Sequence, residues 1–218
     1  MYRFIYSFLM VAVSTFSAST QKSVAAQVME RFRAKMEEAI TSEMSFTLTG
    51  VHGRGVAITP IEGIIYRQGA DYVMLNPQVE VYVSGDTKWI YTVDNNEAMI
   101  MYNDPASFDL AENPLALFSA QLSSEVTMGD TPAYFVDKGQ EIVEITLTPK
   151  GKNNPYTSIL LRINSKTLVP HSLKYNDKDG SWYEALITNF ISLKQPFPEE
   201  YFVFSAKERP GVFVTDLR

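Results

Sequence analysis

Residues 79–103 read VEVYVSGDTKWIYTVDNNEAMIMYN. Ser84-Gly85-Asp86 and Asp94-Asn95-Asn96 cut this stretch into three short runs, 79–84, 87–94 and 97–103. Gly, Asn and Asp favour tight turns, and runs rich in Val, Ile, Tyr and Trp between such turns read as strands. Connections of two or three residues join antiparallel neighbours. The same rhythm extends in both directions. Upstream lie 63–68 and 71–75, parted by Gln68-Gly69-Ala70-Asp71, and from Met44 the apolar positions Met44, Phe46 and Leu48 alternate with Ser45, Thr47 and Thr49. Downstream lie 141–149, 157–165, 168–177, 181–194 and 200–206, with turn signals at Gly151 to Pro155 and Asn176 to Gly180. A meander of about ten strands must curl or close.

Two segments depart from this period. In 24–39, VAAQVMERFRAKMEEA, apolar residues recur at Val24, Val28, Phe32 and Met36, with Met29 three before Phe32. That spacing makes one helical stripe, with Ser23 as its N-cap. Arg33 follows Glu30 by three and precedes Glu37 by four, which sets opposite charges on neighbouring turns. Residues 104–122 hold Pro105, Pro114 and the cluster Leu115, Leu117 and Phe118. Pro114 suits the first turn of a short helix, about 113–121. Charged residues fix the strand faces. With Lys88 outward, Trp89 and Tyr91 point in; with Glu144 outward, Val143, Ile145 and Leu147 point in. Arg162 outward turns Ile159, Leu161 and Ile163 in, and Lys174 outward turns Leu173 and Tyr175 in. The runs 97–103 and 181–194 are apolar on both faces, as in a sheet covered on both sides.

The first residues set the compartment. Arg3 precedes the apolar run Phe4 to Val13, and small polar residues follow to Ser19. This is the layout of a secretory signal peptide of about residues 1–20, and the run is too short to span a bilayer. The expected product is one periplasmic domain, 21–218, soluble after cleavage and monomeric. The chain has 218 residues and no cysteine, which excludes disulfides, thiol chemistry and anchoring through an acylated cysteine. A net charge of −6 argues against a nucleic-acid partner.

Catalytic signatures are missing from the pattern. His52 and His171 are the only histidines, and neither has a neighbour at metal-ligand spacing. Asp104 with Asp109, and Glu199 with Glu200, are acid pairs of the kind that usually stay solvated. No nucleophile elbow, phosphate loop or zinc-protease motif occurs. The expectation is a binding protein without cofactor or metal rather than an enzyme. Its apolar inner face and apolar-faced helices suit a lipid or acyl chain. An exported hydrolase with acids converging in the cavity, and a barrel whose apolar residues merely fill its core, are the rival readings.

An ordered set of elements carries a family resemblance. Phe46-Thr47-Leu48 is followed by Gly63-Ile64-Ile65-Tyr66, then by Gly85-Asp86-Thr87-Lys88-Trp89-Ile90-Tyr91. Asn113-Pro114-Leu115-Ala116-Leu117-Phe118 and Leu147-Thr148-Pro149-Lys150 come next, and Tyr201 to Phe204 with Pro210-Gly211-Val212 close the series. In order and spacing the chain resembles the outer-membrane lipoprotein carrier family, LolA. The resemblance implies a mainly β, α+β fold: a half-open antiparallel barrel of about eleven strands under a lid of short helices. It implies a carrier that receives acylated lipoproteins from an inner-membrane lipoprotein-releasing transporter and passes them to an outer-membrane receptor. Another lipid or apolar ligand is the alternative cargo. In the best-known members an Arg after a G-x-x-W strand latches the lid. Here Tyr66 replaces the Trp, Arg67 lies nearby and the Pro is missing. The expected ligand surface is Val28, Phe32 and Met36 with Leu115, Leu117 and Phe118, set over Phe46, Ile65, Trp89 and Tyr91.

Overall fold

The computed structural model describes residues 22–104, 126–151 and 154–218. The expected leader and the helix expected at 113–121 lie outside the described residues.

Helix α1 (Val24–Glu38) begins where the Ser23 side chain accepts a hydrogen bond from the Ala26 amide at 3.2 Å. Its buried stripe is Ala25, Met29, Phe32 and Met36, at spacings of four, three and four. The apolar side of the helix is therefore turned slightly from the expected one. Val28 is half-buried at its flank and Val24 is exposed. The close ion pairs are others: Glu30 takes Lys22 at 2.7 Å and Lys35 pairs with Glu38 at 3.1 Å, while Glu37 acts on Arg33 at longer range.

Among the described residues fourteen strands share one sheet. They are β1 (Thr41–His52), β2 (Val56–Ala57), β3 (Ile61–Gln68), β4 (Asp71–Leu75), β5 (Val79–Ser84), β6 (Thr87–Thr92), β7 (Glu97–Tyr102), β8 (Val126–Met128), β9 (Ala133–Asp137), β10 (Gln140–Pro149), β11 (Tyr156–Asn164), β12 (Pro170–Asp177), β13 (Trp182–Ser192) and β14 (Phe213–Asp216). Their order is β14-β7-β6-β5-β4-β3-β1-β13-β12-β11-β10-β8, with β2 beside β1 and β9 beside β10. Two antiparallel meanders, β1 to β7 and β10 to β13, are thus joined where β1 pairs β13, from Ser42 opposite Ser192 to Val51 opposite Trp182. The edges are β14 at one end and β8 and β9 at the other, so among the described residues the sheet does not close.

The run 200–206, expected as a strand, is not one. Residues Glu199–Phe202 and Ala206–Glu208 form single 3-10 turns, and the last strand is β14, parallel to β7. This C-terminal strap lies across the outer face of β3 to β7. Phe202 is fully buried, Phe204 meets Tyr82 and Tyr91 at ring distances of 5.7 and 5.4 Å, and Arg209 grips both carboxylate oxygens of Glu80 at 3.0 and 2.8 Å. Both hydrogen bonds come from Nη2, and each is charge-assisted.

Candidate functional site

Strand alternation gives the sheet an inner face bearing two adjoining apolar clusters. The first lies under α1. Met29, Phe32 and Met36 pack there on Val143, Ile145 and Leu147 of β10, on Ile159, Leu161 and Ile163 of β11, and on Leu173 and Tyr175 of β12. The second spreads over β1 to β6 and holds Met44, Phe46, Ile65, Tyr72, Met74, Val81, Val83 and Ile90. Phe190 of β13 packs against both and bridges them.

The expected ligand residues divide accordingly. Phe32 and Met36 are buried in the first cluster with Val28 at its margin, and Phe46 and Ile65 are in the second. Trp89 and Tyr91 are not on this surface. They lie on the outer face, where Tyr91 clusters with Ala98 and Phe204 and Trp89 packs beside them. Leu115, Leu117 and Phe118 lie outside the described residues. The parity of β6 is the reverse of that expected: Lys88 faces inward and is only 7 % exposed, and Ile90 joins the second cluster. The assumption that a lysine must face water failed here, because a long aliphatic stem can lie among apolar side chains. On β10, β11 and β12 the inward residues are those that alternation indicates.

Arg67, on β3, ties the sheet to the helix. Register sets it on the same face as Ile65, opposite Ser42 of β1 and Tyr72 of β4. Its Nη1 donates to the Met36 carbonyl at 3.1 Å and its Nε to the Gly69 carbonyl at 2.8 Å. Met36 is in the last turn of α1, whose carbonyls lack partners within the helix and carry partial negative charge. Burial pulls the Arg67 guanidinium below its ordinary value, and the nearby Glu37 carboxylate pulls the other way. The resemblance to a lid-latching Arg drew attention to Arg67, but the residues around it do not identify its partner, a helix carbonyl 31 residues earlier in the chain.

Two cavities are formed by described residues. One, of about 500 Å³, runs along Phe46, Gly63, Ile64, Leu75 and the bulge residue Thr188. The larger, about 720 Å³, lies on the outer face between β4–β5 and the strap. Its wall mixes Val73, Tyr82 and Phe204 with Glu200, Lys207, Glu208 and Arg209, which suits acyl chains poorly. Polar pairs elsewhere are structural. His52 Nδ1 meets the Tyr183 hydroxyl at 2.8 Å, and His171 Nε2 meets Asp137 at 2.9 Å, tying β12 to β9. Glu199 and Glu200 are exposed on a 3-10 turn, and Asp109 lies outside the described residues. Among the described residues no three His, Asp or Glu side chains gather as metal ligands.

No protein-family model and no curated protein sequence matches the chain. Solved structures do. An uncharacterized conserved protein from Thermus thermophilus is 9 % identical, with 86 % of this chain and 98 % of that one covered, at a TM-score of 0.55. A LolA superfamily protein from Nitrosomonas europaea is 9 % identical over 83 % and 97 %, at a TM-score of 0.45. LprF from Mycobacterium bovis is 12 % identical over 80 % and 95 %, at 0.44. At such identities the likeness is one of fold. That fold is an unclosed, mostly antiparallel sheet with a helix on its apolar inner face.

Proposed function

We propose that this chain is a periplasmic carrier that shields the acyl chains of lipoproteins and moves them from the inner to the outer membrane. The observation that supports it best is the inner face itself. It offers two adjoining apolar clusters, and among the described residues α1 lies on only the first. Among the described residues no helix is long and apolar enough to cross a membrane.

Energetics favours a replaceable cover. Burying one methylene stabilises by about 0.8 kcal/mol, so several long acyl chains would cost tens of kcal/mol in water, roughly, on the same scale. A carrier without an energy source must take them up and still give them away. The helix supplies a way to do this. Met29, Phe32 and Met36 fill the empty inner face, and methionine repacks easily around cargo of varied shape. Arg67 holds the last turn of α1 through a backbone carbonyl, a bond that can break and re-form without leaving a buried charge unpaired on the helix. The partners in this reading are an inner-membrane lipoprotein-releasing transporter and an outer-membrane receptor.

The test is binding of a fluorescent triacylated lipopeptide, with the same peptide lacking its acyl chains as control. The acylated form should bind and should reduce hydrogen-exchange protection across residues 24–38. Equal binding of both peptides, or unchanged exchange in α1 on binding, would count against the carrier.

A further inference from the structure

The larger cavity lies on the face of the sheet opposite the apolar clusters. Alternation puts Val73 of β4 and Tyr82 of β5 on this outer face, because Tyr72, Met74, Val81 and Val83 belong to the inner cluster. The strap supplies the facing wall, with Tyr201 and Phe204 among its residues. At about 720 Å³ the cavity falls in the range of roughly 300–1,000 Å³ typical of small-molecule sites. Such sites pair an apolar body with a few placed polar groups, and this wall has both.

The charges of the wall decide what it can hold. Arg209 is already spent. Its Nη2 donates to both oxygens of Glu80 at 3.0 and 2.8 Å, and the Tyr82 hydroxyl donates to the same carboxylate at 2.8 Å. The Arg209 and Glu80 charges therefore cancel. Glu200, Lys207 and Glu208 remain on the wall, and none of the three is in an ion pair among the described residues. Two free carboxylates against one ammonium leave a negative balance. Aromatic rings act in the same direction, since their faces attract cations. On this side of the sheet Arg209 lies over the Tyr91 ring at 5.5 Å. Tyr82 and Tyr201 line the cavity, and neither is fully covered.

We propose that the outer-face cavity binds a small organic cation, an ammonium group carried on an apolar or aromatic body. The body lies against Val73, Tyr82 and Phe204, and the charge turns toward Glu200 and Glu208. This is a second site, separate from the acyl surface, and it does not rest on the carrier reading.

The test uses the full chain and three probes of one shape, titrated calorimetrically: naphthylethylamine, naphthylethanol and naphthylpropionate. Wild type should bind the amine about fivefold or more tighter than the alcohol, and the propionate most weakly. Glu200→Gln with Glu208→Gln should remove the preference for the amine and leave the alcohol affinity unchanged, while Lys207→Gln should strengthen amine binding. All three residues are exposed, so the variants should fold, and their thermal midpoints check this. An acylated lipopeptide should not displace the amine. Equal binding of the three probes, no binding of any, or a preference that survives both Glu substitutions overturns the proposal. So does displacement by the lipopeptide, which would place the probe on the inner face. A blocked tryptophan–lysine dipeptide that binds more tightly than the amine would put the cation on a polypeptide and overturn the small-molecule assignment. If the amine binds and the lipopeptide does not, the carrier reading falls and this one stands.

Discussion

Gly63 has no side chain, and the ring of Phe46 occupies the space in front of it. A Cβ built there would overlap that ring and lie 3.0 Å from the Leu75 carbonyl oxygen. The ring can swing but the backbone oxygen cannot, so Gly63→Ala should lower stability by about 1–3 kcal/mol, the usual range for overpacking. A urea midpoint unchanged from wild type would show that the strand absorbs the methyl freely. Tyr82 gives a pH signature. Its hydroxyl donates to Glu80 at 2.8 Å, and burial first, then that carboxylate, push it well above the ordinary tyrosine value. A group raised in the folded state holds its proton more tightly there than in the unfolded chain. Its contribution is therefore complete below the unfolded value of about 10 and is lost as pH rises beyond it. Melting temperatures from pH 9 to 11 should fall less steeply in Tyr82→Phe than in wild type; equal slopes would remove Tyr82 as the cause. At this scale the sequence misled on β6. Lys88 looked outward because it is charged, yet it is buried among the inner-face residues, and no local pattern distinguishes a lysine in water from one whose stem is covered.

Helix α1 is held more by its buried face than by its cap. Phe32 has no exposed surface and sits in the middle of the first cluster. Phe32→Ala should cost about 3–5 kcal/mol, whereas Ser23→Ala, which removes only the N-cap bond, should cost about 1 kcal/mol. Chemical denaturation of both variants checks the ratio, and near-equal losses would mean that the helix is held by its end rather than by its face. The strap obeys the same logic from the other side of the sheet. Phe202→Ala should destabilise by about 3–5 kcal/mol, while Val203→Ser, at a residue 41 % exposed, should change little. Helix α1 was legible because its apolar spacing is 3.6-like and its cap residue is explicit, although the buried side came out rotated onto Ala25 and Met29. The strap misled for a physical reason. Phe202 and Phe204 are buried while Tyr201 and Val203 are exposed, so burial alternates as it does in a strand. The alternation comes from an extended chain lying on a sheet face rather than within a hydrogen-bonded ladder, and residue type cannot separate the two.

Among the described residues the sheet ends in two edges. At one, β9 exposes Tyr134 and Val136, and at the other β14 exposes Phe213 and Val214. Unpaired edges with apolar side chains invite strand-to-strand association, which a charge on the edge suppresses. Val136→Lys should leave the melting temperature unchanged and lower any tendency to self-associate at high concentration, read by light scattering; a large loss of stability would mean that Val136 is covered. The meanders were legible from turn residues and alternation. Their junction was not, since the pairing of β1 with β13 joins segments at opposite ends of the chain and leaves no local trace. That junction also orders events in time. Strand β1 is made first, yet one of its two long edges stays unpaired until β13 has emerged, and β7 waits longer still for β14. Pairings so remote slow a chain to folding in milliseconds to seconds. Until β13 arrives, β1 has only the β3 side of the sheet beside it, so the emerging chain carries one meander already pairable and one edge that waits for the other.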